Sequence, residues 1–307
     1  MIKELRERTS AGMSDCKSAL VEAEGDLDKA VDVILKKGLV KAASRAGKVA
    51  SEGEVATWVS PDGKKGVIVE VNCQTDFVSR GDDFKGFVKN VVDVASKLAK
   101  GKDLGAEKYP GSDKTIDHVR QDMVGRIGEN IVVRRWDVLE AKSANGVVVS
   151  YVHMGGKLAV LVEAEGANGD GIEVRANPDF KSFVENCAMQ IAAMNPIVVS
   201  KDQVAQADLD KQKEIFQAQL KEEGKPEAAW PKITEGKINK WFTEVTLLGQ
   251  DNVWEQGAGT VDKVRGELGK KLDGEVKING FIRYGLGEGI EKKVENLAEE
   301  VAKTMGL

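Results

Sequence analysis

The chain carries DFKGFVKN at residues 83–90 and, 96 residues later, DFKSFVEN at residues 179–186, with six of the eight positions identical. Each copy opens a segment whose apolar residues recur at helical spacing. Two strand-like runs precede each segment: GEVATWV and KGVIVEVN before the first, GVVVSYV and LAVLVEAE before the second. The repeat therefore predicts an α+β fold with a duplicated core, in which IVVRRWDVLE and EVKINGFIRYGL are candidates for a third strand of each copy.

Length, charge and hydropathy limit the class of protein. The 307 residues correspond to about two average domains. Because 50 acidic and 45 basic side chains leave a net charge of only −5, a general nucleic-acid binder with a dense basic surface is not expected. No apolar run approaches the roughly 18 residues that cross a bilayer, and the first ten residues lack the apolar stretch of a signal peptide. We expect a globular cytoplasmic protein with no membrane partner and no specific nucleic-acid partner.

Few residues are available for acid–base, metal or nucleotide chemistry. The chain has two histidines and three cysteines, and no CxxC pair. None of its seven Gly-Lys pairs is followed by the Ser or Thr of a phosphate-binding loop, and GLGEG at 285–289 does not fit GxGxxG. We therefore expect no enzyme, no metal, no cofactor and no nucleotide held by the chain itself. A lone histidine such as His118 is expected to be structural.

Changes of composition along the chain predict a division into regions. Turn signals near Gly12 and Gly25 separate three short helices, which a linker helix follows. A segment rich in Lys, Gln and Glu interrupts the second repeat and predicts a helical hairpin, whose arms pack on each other or pair with another chain. The predicted regions are an N-terminal helical docking domain (1–50), core subdomain N (51–140), core subdomain C (141–199 and 237–289), the inserted hairpin (200–236) and a C-terminal amphipathic helix (290–307).

The segment between the second strand and the helix differs between the two copies. The first copy has Thr75-Asp76-Phe77-Val78 there, whereas the second has the longer, glycine-rich GANGDGIEVRANP. Burial statistics favour a core position for a phenylalanine such as Phe77. Its absence from the other copy favours contact with a partner, because positions that folding requires should look alike in both copies. The two interpretations of Phe77 stay open at this point.

Two longer segments resemble the elongation factor Ts family, whose members are exchange factors for the GTPase elongation factor Tu. They are LRERTSAGMSDCKSAL at 5–20 and EVNCQTDFVSR at 70–80, and shorter matches extend the resemblance over nearly the whole chain. The resemblance implies a ubiquitin-associated-like three-helix domain, a duplicated core, a coiled-coil hairpin and a C-terminal module. It implies a protein that binds elongation factor Tu with GDP, disrupts the magnesium and phosphate site and promotes GDP release so that GTP can bind. A hairpin scaffold that docks other proteins without promoting exchange is the alternative.

The resemblance also implies which residues contact the partner. The TDFV stretch matches the family segment that pushes near the partner's magnesium, and the N-terminal matches lie against a helix beside the guanine pocket. Ser14 stands where close relatives have a methionine, and residues 154–157 contain an extra residue relative to the family. A dimer of heterodimers through the hairpin is a further expectation. The residues expected to contact elongation factor Tu are Arg6, Met13, Thr75, Asp76, Phe77, Val78, His153 and Gln250.

Overall fold

A computed structural model describes residues 1–9, 11–168 and 176–291. Within these ranges the protein is a mixture of helices and two small antiparallel sheets, which is compatible with the predicted α+β class. The first sheet consists of β1 (Glu52–Val59), β2 (Lys65–Cys73) and β3 (Ile131–Glu140), and the second of β4 (Gly146–His153), β5 (Leu158–Asn168) and β6 (Gly274–Gly285). Both sheets have their second strand in the middle, and every predicted strand run, including the two candidate third strands, lies in one of them.

Ten α-helices accompany the sheets in the described part of the chain. They are α1 (Ile2–Thr9), α2 (Met13–Glu22), α3 (Leu27–Arg45), α4 (Asp76–Arg80), α5 (Asp82–Ser96), α6 (Ile116–Ile127), α7 (Pro178–Met194), α8 (Gln206–Glu222), α9 (Trp230–Val245) and α10 (Val261–Lys271). The repeated motif opens α5 and α7, and both of its phenylalanines are buried in each copy.

Alternation along the central strands explains how the layers stack. In β2, Val67 and Val69 pack with α5, whereas Ile68 between them belongs to the apolar layer that separates the two sheets. Val160 and Leu161 of β5 divide in the same way between α7 and that layer. The core is therefore a sandwich of two sheets face to face, with a helix on each outer side.

The N-terminal helices differ from the prediction in one respect. Helices α1, α2 and α3 enclose a small core of their own around Leu5 and Cys16. The predicted separate linker helix is wrong, because α3 continues without a break through Arg45. Gly38, in the middle of α3, lies with its backbone against α6: a Cβ on Gly125 would be 2.5 Å from the Cα of Gly38. The close helix contact explains why two glycines face each other there.

Helices α8 and α9 form the inserted hairpin. The chain enters and leaves it through paired backbone: the N–H of Ile197 donates to the carbonyl of Val245 at 2.8 Å, and the N–H of Leu247 to that of Val198 at 2.9 Å. The predicted boundary after residue 236 falls inside α9. Most of the predicted C-terminal helix, residues 292–307, and residues 169–175 of the glycine-rich loop lie outside the described residues.

Among the described residues, no helix is long and apolar enough to cross a membrane. The same residues contain no cluster of three or more His, Cys, Asp or Glu side chains suited to a metal ion. The three cysteines are free and buried, as small apolar residues would be.

Candidate functional site

The Thr75–Val78 stretch lies where β2 ends and the short helix α4 begins. Phe77 is 85% exposed, so the interpretation that it fills the core is wrong. The next residue, Val78, is partly buried and packs against the core of the first sheet. The segment is therefore anchored by Val78 and presents the phenyl ring of Phe77 to solvent.

Polar contacts within this segment set the start of α4. The hydroxyl of Thr75 accepts the N–H of Val78 at 3.4 Å, which caps the helix. The carboxylate of Asp76 forms an ion pair with Arg80 one turn later, at 2.8 Å. Both groups of this ion pair are accessible to solvent, so a partner can compete for the Asp76 carboxylate at little cost.

Glu129 and Asn130, which the sequence analysis does not single out, bind the start of the Thr75–Val78 stretch by hydrogen bonds. The Glu129 carboxylate accepts the hydroxyl of Thr75 at 2.9 Å and its backbone N–H at 3.1 Å. The backbone N–H of Asn130 donates to the side-chain oxygen of Gln74 at 2.8 Å. Gly128, in the left-handed conformation with φ of 84°, ends α6 and turns the chain toward these contacts. These residues lie more than fifty positions from Thr75, and no local pattern marks them.

The turn after β4 lies beside the same segment. The carbonyl of Gly156 accepts the N–H of Val55 at 2.7 Å, and the ammonium of Lys157 pairs with Glu52 at 2.7 Å. Met154 in this turn is 73% exposed. A shallow cavity of about 480 Å³ joins the two segments, lined by Glu52, Gln74, Thr75, Asp76, Phe77, Arg80 and Lys157. The fold thus brings the TDFV segment and the 153–157 turn to one edge of the core.

The thiol of Cys73, at the end of β2, is buried behind this edge. Burial, together with the carboxylates of Glu129 and Glu52, raises the pKa of the Cys73 thiol to about 12. Its Sγ lies 3.2 Å from the carbonyl oxygen of Thr75. Because the thiol stays protonated at neutral pH, it packs and donates weakly and is not a nucleophile.

A buried carboxylate ties the first sheet to the turn that follows β6. Glu70 is fully buried at a β-bulge and accepts from Arg134 at 3.0 Å, Arg135 at 2.5 Å and the N–H of Gly287 at 2.8 Å. Burial opposes ionisation of Glu70, but the bonds from Gly287, Arg135, Asn72 and Arg134 outweigh it and lower the pKa. This junction makes the two sheets one body on which the exposed segments are mounted.

Comparison with known proteins identifies the family. Residues 74–288 match the family model described as Elongation factor TS, and the match begins at the residue before the TDFV stretch. The chain belongs to the elongation factor Ts family. It is similar to proteins named Elongation factor Ts from Clostridium perfringens (strain SM101 / Type A), 45% identical over 99% of this chain and 98% of the relative, and from Clostridium acetobutylicum, 43% identical over 99% and 97%. Membership in the elongation factor Ts family makes it a translation elongation factor.

One residue expected from the elongation factor Ts resemblance is not at a surface. Gln250 is 3% exposed, and its amide donates to the carbonyl of Glu244 at 2.7 Å and accepts from Gln190 at 3.0 Å. These bonds fasten the base of the hairpin to α7. The prediction that Gln250 contacts a partner is therefore wrong for this conformation, since its hydrogen-bonding groups face the interior.

Three other residues expected from the family, Arg6, Met13 and His153, are exposed. Arg6 and Met13 lie on α1 and α2, and Met13 is 66% exposed. His153 stacks on Tyr151 with ring centroids 5.8 Å apart, and its Nδ1 lies 3.0 Å from the tyrosine hydroxyl. The imidazole of His118 is similarly placed within 3.3 Å of the Thr115 hydroxyl at the start of α6.

Proposed function

We propose that the protein is a guanine nucleotide exchange factor that binds elongation factor Tu with GDP and promotes GDP release in the cytoplasm. The observation that carries the proposal is Phe77, an 85% exposed phenyl ring on a short helix that is anchored from below. Removing such a ring from water is favourable by up to about 3 kcal/mol. A large aromatic side chain held in this way is suited to insertion into a pocket of a partner.

The proposed mechanism needs no covalent step. In the partner, GDP is held by backbone donors, a lysine and the charge of magnesium. A wedge formed by Asp76 and Phe77 that displaces the surrounding helix and loop weakens these interactions together. Thermodynamic reciprocity then requires that GDP weakens binding of this protein by the same factor. Apolar and single-charge contacts suffice for this, in keeping with a chain that has only two histidines.

A second contact is proposed for the N-terminal helices. Arg6 and Met13 are assigned to a helix near the guanine base, with α1–α3 as a ubiquitin-associated-like docking domain. The 153–157 turn, with His153 and Met154, is assigned to the phosphate-loop side, beside Phe77. The contacts of Met13 near the guanine base and of Phe77 near the magnesium act on opposite ends of the bound GDP. Met13→Ala and Phe77→Ala should therefore reduce the rate of exchange non-additively. Strict additivity of the two losses would show that the two ends act independently.

The hairpin is proposed as a coiled coil that extends the interface or pairs two heterodimers. The hairpin needs no bound nucleotide for either role, and no cofactor is proposed for any region of the protein. Size measurements on the complex with elongation factor Tu, with and without the hairpin, separate the two roles. A complex that stays a heterodimer at all concentrations would rule out pairing.

The test of the proposed function is to mix the protein with elongation factor Tu loaded with fluorescent GDP, in the presence of excess unlabelled GDP. Accelerated release by substoichiometric protein is the expected result. Stable binding without accelerated release would instead indicate the non-exchanging scaffold. Absence of both would refute the partner as well as the activity.

A further inference from the structure

Helix α4 cannot hold Phe77 in position by its own stability. It has five residues and no buried side chain, whereas isolated helices need about 12–15 residues to be even marginally stable in water. The position of the ring must therefore come from contacts outside the helix. Val78 supplies an apolar contact on one side, and Thr75 supplies the polar contacts at the helix start.

The hydroxyl of Thr75 has one proton and must serve two neighbours. It accepts the N–H of Val78, so its proton is free for the Glu129 carboxylate at 2.9 Å. The backbone N–H of Thr75 donates to the same carboxylate. An ionised acceptor strengthens both bonds relative to neutral ones. Glu129 thus fixes the orientation of the hydroxyl that caps α4.

Asn130 connects this arrangement to the N-terminal helices. Its side chain is 3% exposed, and its Nδ2 donates to the carbonyl of Lys48 at 2.8 Å, just after α3 ends. Its backbone N–H donates to Gln74, next to Thr75. The dipeptide 129–130 therefore contacts both the TDFV segment and the chain that leads to α1–α3.

We infer that Glu129 and Asn130 are positioning residues for exchange: Glu129 holds α4 so that Phe77 is presented in a single orientation, and Asn130 ties that segment to the end of α3. This inference rests on the proposed function. Loss of the Glu129 carboxylate leaves the phenyl ring on a mobile segment, which must be ordered again each time the partner binds. The rest of the interface forms the initial complex, and the ring is needed in the later step that displaces GDP, so the ordering cost falls on that step. The saturating rate of GDP release should therefore fall, whereas the concentration for half-saturation, set by the rest of the interface, should change little.

The experiment compares Glu129→Gln with Glu140→Gln, the same substitution at an exposed position at the far end of β3. Glu129→Gln should lower the saturating rate of GDP release from elongation factor Tu about tenfold, or about 1.4 kcal/mol, and shift half-saturation less than about twofold, because the ring acts in the step that displaces GDP. In the Phe77→Ala background it should have no further effect, because it acts through that ring. Equal effects in both backgrounds would overturn the positioning role.

Amide hydrogen exchange in the free protein separates this inference from the proposed function. Glu129→Gln should accelerate exchange at Thr75 and Val78 about tenfold relative to Glu140→Gln. Unchanged protection there would overturn the inference even if wild-type protein releases GDP. Failure of the wild type to release GDP would refute the proposed function. Faster hydrogen exchange in Glu129→Gln would in that case still show that Glu129 orders α4, but a role of Glu129 in GDP release would be refuted. If Glu129→Gln does not fold, Thr75→Val removes the same hydroxyl bond, with Thr75→Ser as the conservative rescue.

Discussion

Replacing Phe77 by alanine should leave the stability of the protein nearly unchanged. The ring keeps 85% of its exposure in the folded chain, so only a small part of its apolar area leaves water on folding. Since full burial of a phenylalanine side chain contributes about 3 kcal/mol, the loss in unfolding free energy should be at most about 0.5 kcal/mol. The higher helix propensity of alanine offsets part of that loss. Phe84→Ala is the matched control: Phe84 is 1% exposed, and its truncation should cost about 3–5 kcal/mol.

The same substitution should strongly reduce exchange. If the ring becomes buried in elongation factor Tu, its loss removes about 2 kcal/mol of interaction, or roughly thirtyfold in GDP-release rate. The assay is stopped-flow release of fluorescent GDP at fixed magnesium, with urea unfolding of both variants alongside. A Phe77→Ala protein that exchanges at the wild-type rate, or that loses as much stability as Phe84→Ala, would refute the wedge.

Replacing residues 206–241 by a short Gly-Ser linker should leave a core that melts cooperatively within about 5 °C of the wild type. The reason is that backbone hydrogen bonds outside the replaced segment hold the base of the hairpin. A non-cooperative melt would show that the core depends on the hairpin. Gly125→Ala should destabilise by about 1–3 kcal/mol in urea unfolding through its clash with Gly38, whereas Gly86→Ala, with no atom within 4 Å, should stabilise by up to about 1 kcal/mol. Glu70→Gln should lower the free energy of unfolding by about 3 kcal/mol at pH 7. Because folding lowers the pKa of Glu70 from 4.5, the difference in unfolding free energy between wild type and variant should shrink as the pH falls below 4.5. A difference that stays constant down to about pH 3 would count against a stabilising role of the ionised carboxylate.

The duplicated core could be predicted from sequence because its evidence is local and periodic. The repeated phenylalanines and valines recur at helical spacing, and the strands alternate or are uniformly apolar. The separate linker helix predicted after three short helices does not exist, because α3 runs unbroken from Leu27 to Arg45. No local pattern shows that Gly38, in the middle of this helix, lies against α6.

The exposed segment could be predicted only in part. The difference between the two copies leaves both interpretations of Phe77 open, and its 85% exposure decides against the core position. No local pattern marks Glu129, because its role depends on a contact between distant parts of the chain. The family match that predicts a partner contact for Gln250 carries no information on the burial of this residue. In each case the deciding quantity, a long-range hydrogen bond or solvent exposure, is set by tertiary packing.

Exchange activity is tested most directly by the equilibrium affinity of elongation factor Tu for GDP, measured with and without saturating amounts of this protein at constant magnesium. The affinity for GDP should fall with wild-type protein, and the affinity of the protein for elongation factor Tu should fall by the same factor when GDP is added. With Phe77→Ala both factors should be much smaller. An affinity for GDP that is the same with and without wild-type protein would refute the proposed exchange activity.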